Sequence, residues 1–152
     1  MSIYEFALKM EEDGKNYYKK VAKTCADECL KEIFEFLALE ENKHYNIFRN
    51  MKNKNMDANF NSESNLNKYT TIFQNKSQSE LLKSLSQVQT NIYVTAAEDE
   101  KKSISLYEKM SKEVETEEER KILLNIIEEE KKHLKFLEDL IELMNKLEKI
   151  EE

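Results

Sequence analysis

Apolar residues recur at steps of three and four along most of the chain. Near the carboxyl end the series runs through Leu123, Ile126, Ile127, Leu137, Leu140, Ile141 and Met144. Residues at this spacing lie on one face of an α-helix, so the series predicts a helix with one buried stripe. Similar series over residues 4–25, 30–51 and 81–110 predict three more helices. The pattern therefore predicts an all-α chain built as a four-helix bundle.

Two of these stripes are interrupted by acidic residues and histidines. Glu130 and His133 lie within the last stripe, and Glu41 and His44 lie in the same way within the second. Residues three apart share a helix face, so each glutamate points inward together with its histidine. A carboxylate that faces a core is costly unless it is paired or bound to a metal. These positions are therefore the first candidates for chemistry.

The two halves of the chain repeat each other at a constant interval. The two Glu-x-x-His segments begin 89 residues apart (130 − 41 = 89). At the same interval, Glu11 in the first stripe matches Glu100 in the third, and Tyr18 matches Tyr107. Polar residues repeated at inward-facing positions indicate two helical hairpins in tandem.

Local signals mark the helix ends. Capping boxes begin at Ser2 and at Thr116. A short connection near residues 24–27 implies that the first two helices are antiparallel neighbours. Thr90 and Asn91 form a weak point at which the third helix could break.

One domain is predicted for the whole chain, residues 1–152. Its hairpins cover residues 2–51 and 79–148, and residues 52–78, which are rich in asparagine, join them as a crossover. A link of this length can run along the full bundle. Four side chains of the crossover either tack it onto the bundle or contact a second subunit. They are Phe60, Tyr69, Ile72 and Phe73.

Composition supports a helical protein and narrows its partners. One glycine, no proline and 36% charged residues favour long helices over a sheet. A net charge of −7 disfavours nucleic acid and anionic membranes as partners. The chain has neither the pattern of a signal peptide nor an apolar run of about 20 residues, so a cytoplasmic protein without membrane contact is expected. Cys25 and Cys29 are expected to be ordinary thiols, with a redox pair or a soft-metal clip as the alternative.

Six inward-facing side chains form a candidate ligand set for two metal ions. They are Glu11, Glu41, His44, Glu100, Glu130 and His133. Four ionised carboxylates that converge in a core would repel one another, whereas two divalent cations would neutralise them. Carboxylates with a few imidazoles suit iron or manganese, and zinc could also occupy such a site. The alternative is a purely structural set of carboxylates paired with lysine or histidine.

Further polar residues lie close to the candidate ligands. The hydroxyls of Tyr18 and Tyr107 either orient a ligand carboxylate or are satisfied groups of the core. Glu40, Glu128 and Glu129 adjoin the ligands in sequence but face other directions, so they are expected on the surface, solvated or paired with lysine. No residue beyond the metal ligands is assigned a catalytic role.

The segments that carry these residues resemble the rubrerythrin-type branch of the ferritin-like di-iron carboxylate family. The match rests on residues 7–18, 41–44, 96–107 and 130–133. The resemblance implies a ferritin-like four-helix bundle in which the six candidate ligands hold two iron ions. It also implies reduction of hydrogen peroxide by a centre that cycles between ferrous and ferric states. Members of this branch carry a further carboxylate where this chain has Ser103.

The resemblance also implies a redox partner. Rubrerythrins carry a cysteine-rich rubredoxin domain that delivers electrons, and this sequence contains none. A separate electron donor such as a rubredoxin-like protein is therefore expected. A homodimer is expected as well, because dimers are common for this fold.

Three functions are compatible with these observations. The leading hypothesis is a di-iron carboxylate oxidoreductase that reacts with hydrogen peroxide or dioxygen, a peroxidase or oxidase in which the metals act as template and electron source. The second is a ferroxidase or another iron-handling protein. The third is a non-catalytic, metal-stabilised bundle that acts as an interaction module through its crossover.

Overall fold

The computed structural model describes five long α-helical segments, and no strand occurs among the residues that it describes. The structure describes residues 2–55, 66, 71, 75–86 and 90–151. The helices are α1 (Ile3–Thr24), α2 (Glu28–Lys52), α3 (Gln78–Ser86), α4 (Thr90–Glu113) and α5 (Glu117–Glu151). The prediction of an all-α chain is confirmed.

The helix caps predicted for α1 and α5 are present. Ser2 Oγ accepts a hydrogen bond from the backbone N–H of Glu5 at 3.2 Å. Thr116 Oγ1 accepts one from the backbone N–H of Glu119 at 3.1 Å. Each bond satisfies an amide that the first turn of a helix leaves without a partner. Both helix starts therefore follow from local sequence.

Two helical hairpins pack against each other. α1 lies along α2, α4 lies along α5, and α1 meets α4 between the hairpins. Asp27 closes the short turn between α1 and α2, where its carboxylate accepts a hydrogen bond from the backbone N–H of Leu30 at 2.8 Å. The same carboxylate binds Lys76 Nζ at 2.7 Å, which ties the residues before α3 to this turn.

The third predicted stripe forms two helices, α3 and α4, rather than one. α3 ends at Ser86 and α4 begins at Thr90, the predicted weak point, while residues 87–89 lie outside the described part. The Tyr93 hydroxyl donates a hydrogen bond to the carbonyl oxygen of Leu85 at 3.2 Å. This bond satisfies a carbonyl that the end of α3 leaves without a helical partner. The break changes the number of helices, and the packing of α4 on α5 is retained.

The buried apolar side chains form two clusters with a polar layer between them. The Phe34 cluster includes Leu37 and Tyr93, and the Phe48 cluster includes Leu123. On α1, α2, α4 and α5 alike, the candidate ligands fall between residues of one cluster and residues of the other. The fold therefore places all the candidate ligands at mid-bundle.

The crossover contributes one described side chain to the core. Leu66 is 3% exposed and packs in the Phe34 cluster. The contacts predicted for Phe60, Tyr69, Ile72 and Phe73 fall on residues outside the described part. Both interpretations of those four side chains stay predictions.

Two further sequence expectations concern the thiols and the membrane. Burial raises the pKa of Cys25 to about 11 and raises the pKa of Cys29 above its ordinary value. Protonated thiols are poor nucleophiles and poor metal ligands, which favours the ordinary-thiol interpretation.

Within the described ranges, no helix is long and apolar enough to cross a bilayer.

Candidate metal centre

All six candidate ligands meet in the polar layer. They come from four helices: Glu11 from α1, Glu41 and His44 from α2, Glu100 from α4, and Glu130 and His133 from α5. None of the six side chains is more than 4% exposed. Helical spacing turns each glutamate and its histidine to the same face, and the packing of the hairpins brings those faces together.

The six side chains form two overlapping groups. The first contains Glu11, Glu41, His44 and Glu130, and the second contains Glu41, Glu100, Glu130 and His133. Within each group, one potential ligand atom per residue lies within 4.8 Å of the others. The rings of His44 and His133 are close to parallel, with centroids 6.3 Å apart. Two groups that share the carboxylates of Glu41 and Glu130 are the arrangement expected of a binuclear centre in a helical bundle.

Both histidines present Nδ1 to the interior. His44 Nδ1 lies 3.0 Å from Glu130 Oε1 and 3.5 Å from Glu11 Oε1. His133 Nδ1 lies 3.3 Å from Glu41 Oε1 and 3.6 Å from Glu130 Oε1. Each imidazole therefore has a nitrogen directed at carboxylates of both groups.

The donor set fits a pair of cations because many of its inward atoms lack hydrogen bonds. Seven buried atoms form none with any residue that the structure describes. They are Glu11 Oε2, Glu41 Oε1, His44 Nδ1, Glu100 Oε2, both carboxylate oxygens of Glu130, and His133 Nδ1. One such atom costs about 1–3 kcal/mol, so seven in one layer are a substantial destabilisation. Coordination to two cations would satisfy them together, with the oxygen and imidazole donors that iron and manganese accept.

Burial makes three of the carboxylates weak acids. It raises the pKa of Glu11 from 4.5 to about 7, and the charge of Glu100 adds to this effect. Burial also raises the pKa of Glu41 and of Glu130 well above the ordinary value, and the neighbouring carboxylates raise both further. In the metal-free protein, protons therefore supply the neutralising charge that cations would supply in the loaded one.

The histidines and Glu100 favour their charged forms. Burial by itself lowers the pKa of His44, but the hydrogen bond with Glu129 and the nearby carboxylate of Glu130 outweigh burial and raise the pKa to about 10. Contacts with Glu100 and other carboxylates raise the pKa of His133 in the same way against burial. The contact with His133 in turn lowers the pKa of Glu100 to about 2, although burial opposes it. A metal ion must displace these imidazolium protons in order to bind.

Two further glutamates contact the outer side of the imidazoles, and the solvated surface position expected for them is wrong. Glu129 Oε2 lies 3.0 Å from His44 Nε2, and Glu40 Oε1 lies 3.4 Å from His133 Nε2. Glu40 is 5% exposed and Glu129 13%. The expected pairing with lysine is present, since Lys43 contacts both. A carboxylate at Nε2 keeps the proton on that nitrogen and leaves Nδ1 for a metal.

The sequence repeat contained a signal for this pair. Glu40 and Glu129 are separated by the repeat interval (129 − 40 = 89), and each precedes a Glu-x-x-His segment. Each contacts the histidine of the other hairpin, which helical periodicity within one element does not reveal. Glu128 does lie on the surface as expected, being 68% exposed with its carboxylate 3.7 Å from Lys131 Nζ.

The two repeated tyrosines also make contacts across the bundle. The Tyr18 hydroxyl donates to Glu100 Oε1 at 2.5 Å, and the Tyr107 hydroxyl donates to Glu11 Oε1 at 2.7 Å. Both tyrosines are buried. Their hydroxyls are thus satisfied within the core and, at the same time, directed at candidate ligands on the opposite hairpin.

A cavity of about 150 Å³ reaches the centre between α1 and α4. Its lining includes Glu41 and Glu100, together with Gly14 and Ser103, which are equivalent positions in the repeat (103 − 14 = 89). A Cβ atom at Gly14 would lie 3.4 Å from Glu41 Oε2. Small residues at these two positions therefore keep open the space beside the candidate ligands.

The fold and the polar layer together define a class of protein, an all-α bundle with a buried carboxylate and histidine cluster compatible with a di-metal site. The chain belongs to the rubrerythrin family, whose sequence model matches residues 3–146. No curated protein and no solved structure matches the chain. Family membership confirms the resemblance seen in the sequence, and it extends over both hairpins.

Proposed function

We propose that the protein is a di-iron carboxylate oxidoreductase that reduces hydrogen peroxide or dioxygen. The observation that carries this proposal is the pair of overlapping ligand groups that share Glu41 and Glu130. When bound, two iron ions would supply electrons to an oxidant and a template on which it is oriented. Six protein ligands for two metals leave positions open to small molecules.

Each candidate ligand has a distinct role in this proposal. Glu11 and His44 would hold one ion, Glu100 and His133 the other, and Glu41 and Glu130 both. The hydroxyls of Tyr18 and Tyr107 fix the orientation of the two unshared glutamates. Buried hydrogen-bonded partners of this kind orient ligands and tune the basicity of the site.

The cavity between α1 and α4 supports access by a small oxidant. Its volume of about 150 Å³ is sufficient for a molecule as small as hydrogen peroxide. Asp13 and Asp99 join Glu41 and Glu100 in its lining. Carboxylates along the route favour an uncharged oxidant over an anionic one.

The remaining expectations about partners and location belong to this proposal. A centre that gives electrons to an oxidant must be reduced again, so the proposal includes a separate electron donor such as a rubredoxin-like protein. A cytoplasmic location and a homodimeric state accompany the proposal as predictions.

Anaerobic loading with Fe(II) followed by stopped-flow mixing tests the reaction. We expect about two irons per chain, oxidised by hydrogen peroxide much faster than by oxygen at equal concentration. Glu130→Gln is the matched control, because it keeps the side-chain volume and removes the shared carboxylate. It should show neither stoichiometric iron nor the fast phase.

The same experiment separates the competing functions. Repeated turnover of added Fe(II) with oxygen, with ferric mineral as the product, would support a ferroxidase instead. Iron that binds and reacts with neither oxidant would leave a metal-stabilised interaction module. Either result would contradict the proposed oxidoreductase.

A further inference from the structure

A lysine on the outer side of the centre joins the two glutamates that contact the histidines. Lys43 Nζ lies 3.0 Å and 3.1 Å from the two carboxylate oxygens of Glu129, and 3.3 Å from Glu40 Oε2. The same glutamates face His44 Nε2 and His133 Nε2. One ammonium group therefore contacts both carboxylates that support the imidazoles.

We propose that Lys43 is a positioning residue for both histidines of the metal centre. Glu40 on α2 and Glu129 on α5 are held near the same ammonium group, and two carboxylates brought this close repel each other. Without a cation between them, one carboxylate would turn towards water and away from the imidazole N–H whose hydrogen bond it accepts.

This contact differs from an ordinary surface ion pair. Glu40 is 5% exposed, Glu129 13% and Lys43 29%, so water and salt screen the group only partly. Burial lowers the pKa of Lys43, but the carboxylates of Glu129 and Glu40 outweigh burial and raise it. The lysine is thus charged at neutral pH, as its position requires.

The repeat supplies an internal comparison. Lys132 is the counterpart of Lys43 in the second hairpin (132 − 43 = 89), yet its side chain is exposed. Both hairpins carry the candidate ligands, an outer glutamate and a tyrosine. Of the two equivalent lysines, Lys43 on α2 is the one that contacts the outer carboxylates. The chain therefore offers a matched control at an equivalent position.

Proton NMR of the Co(II)-loaded protein tests the proposal. The proposed role of Lys43 rests on the proposed metal centre but does not depend on reaction with any oxidant. Each histidine should give a paramagnetically shifted, exchangeable Nε2–H signal that is protected by its carboxylate. In Lys43→Met we expect at least one of these signals to be lost to exchange, and Co(II) affinity to fall about tenfold, the lower end for partners that orient ligands.

Rescue and control variants define the outcome. Lys43→Arg, which restores the charge, should recover both signals and the affinity, and Lys132→Met should match the wild type. Lys43→Gln, which keeps a donor without the charge, should behave as Lys43→Met and serves if that variant is poorly folded. Retention of both signals and of the affinity in a folded neutral variant would overturn the proposal.

Two further results separate this inference from the proposed function. Wild-type protein that binds no Co(II) would overturn both. Wild-type protein that binds Co(II) with both protected signals, but whose Fe(II) form is inert to peroxide and oxygen, would overturn the oxidoreductase alone.

Discussion

Glu130 shows at the scale of one residue why the polar layer is suited to cations. It lies in an apolar stripe, is fully buried, and neither carboxylate oxygen forms a hydrogen bond with any described residue. Burial raises its pKa well above the ordinary value, and the neighbouring carboxylates raise it further. A buried carboxylate without hydrogen-bond partners is typical of a site that binds a cation.

Replacement of Glu130 by alanine is expected to abolish binding of both metals, because its carboxylate belongs to both ligand groups. Glu100→Ala removes a ligand from one group, so it should retain about one metal per chain if the groups act separately. Metal analysis after dialysis measures this difference. In thermal melts, added metal should stabilise the wild type but not Glu130→Ala, whose metal-free form should melt close to metal-free wild type. Two metals retained by Glu130→Ala would contradict the assignment.

The outer glutamates give a second prediction for a single residue. Glu129→Gln weakens the acceptor at His44 Nε2, so metal affinity should fall by about 10–100-fold. Glu128→Gln is the matched control, since the same change one residue earlier falls on a side chain that is 68% exposed. Competition with a chelator of known affinity measures both variants. Equal losses of metal affinity in the two variants would assign the effect to the change in net charge and not to the hydrogen bond with His44.

At the scale of helices, α1 and α4 leave space beside the centre. Gly14 lies in the middle of α1, where glycine costs about 1 kcal/mol relative to alanine. It lies beside Glu41 at the cavity, which Ser103 lines from α4. The helix therefore gives up some stability at the point where a larger side chain would narrow the route to the ligands.

Two substitutions at Gly14 separate helix stability from access. Gly14→Ala should raise the free energy of unfolding by about 0.5–1 kcal/mol and keep both metals, because its Cβ would make an ordinary contact 3.4 Å from Glu41 Oε2. Gly14→Leu should fill the cavity and slow oxidation of bound Fe(II) by peroxide about tenfold, a barrier increase of about 1.4 kcal/mol. Chemical denaturation and stopped-flow absorbance measure the two effects. Equal oxidation rates at equal metal content would exclude the cavity as the route.

At the scale of the whole molecule, two apolar clusters enclose a layer in which protons replace cations when metal is absent. Glu11 has a pKa of about 7 in the folded protein, against 4.5 in the unfolded chain. Its protonated form therefore stabilises the metal-free fold below about pH 4.5, and that contribution is lost as pH rises through 7. His44, with a pKa of about 10 against 6.5, stabilises it below about pH 6.5 and loses that contribution as pH rises through 10. Glu100 acts oppositely, and its contribution is lost only as pH falls towards 2.

The stability of the metal-free protein should therefore fall as pH rises from about 5 to 9. Metal binding displaces the same protons, so the stabilisation by a fixed concentration of metal should grow over that range. Thermal melts at several pH values, with chelator and with Mn(II), measure both trends. A metal-free protein whose stability increases steadily across this range would contradict the protonation states described for the centre.

Much of the fold and of the candidate site follows from the sequence. Helical periodicity, the caps at Ser2 and Thr116, and the absence of proline predict an all-α bundle, because each is a property of one local segment. The repeat interval identifies the six inward polar side chains, because solvated glutamates are common in a charged chain but are not expected to recur at the same inward positions of both halves. The division of the third stripe into α3 and α4 was indicated only by the weak point at Thr90.

What the tertiary structure decided is which side chains meet across the bundle. Periodicity assigns a residue to a helix face, but the rotation of one hairpin against the other determines its partner. That rotation places Glu40 on the histidine of the opposite hairpin, joins both outer carboxylates to Lys43, and leaves Lys132 exposed. The same packing leaves the cavity beside Gly14. The sequence alone determines the inward donors, and the packing of the hairpins determines how those donors are supported and reached.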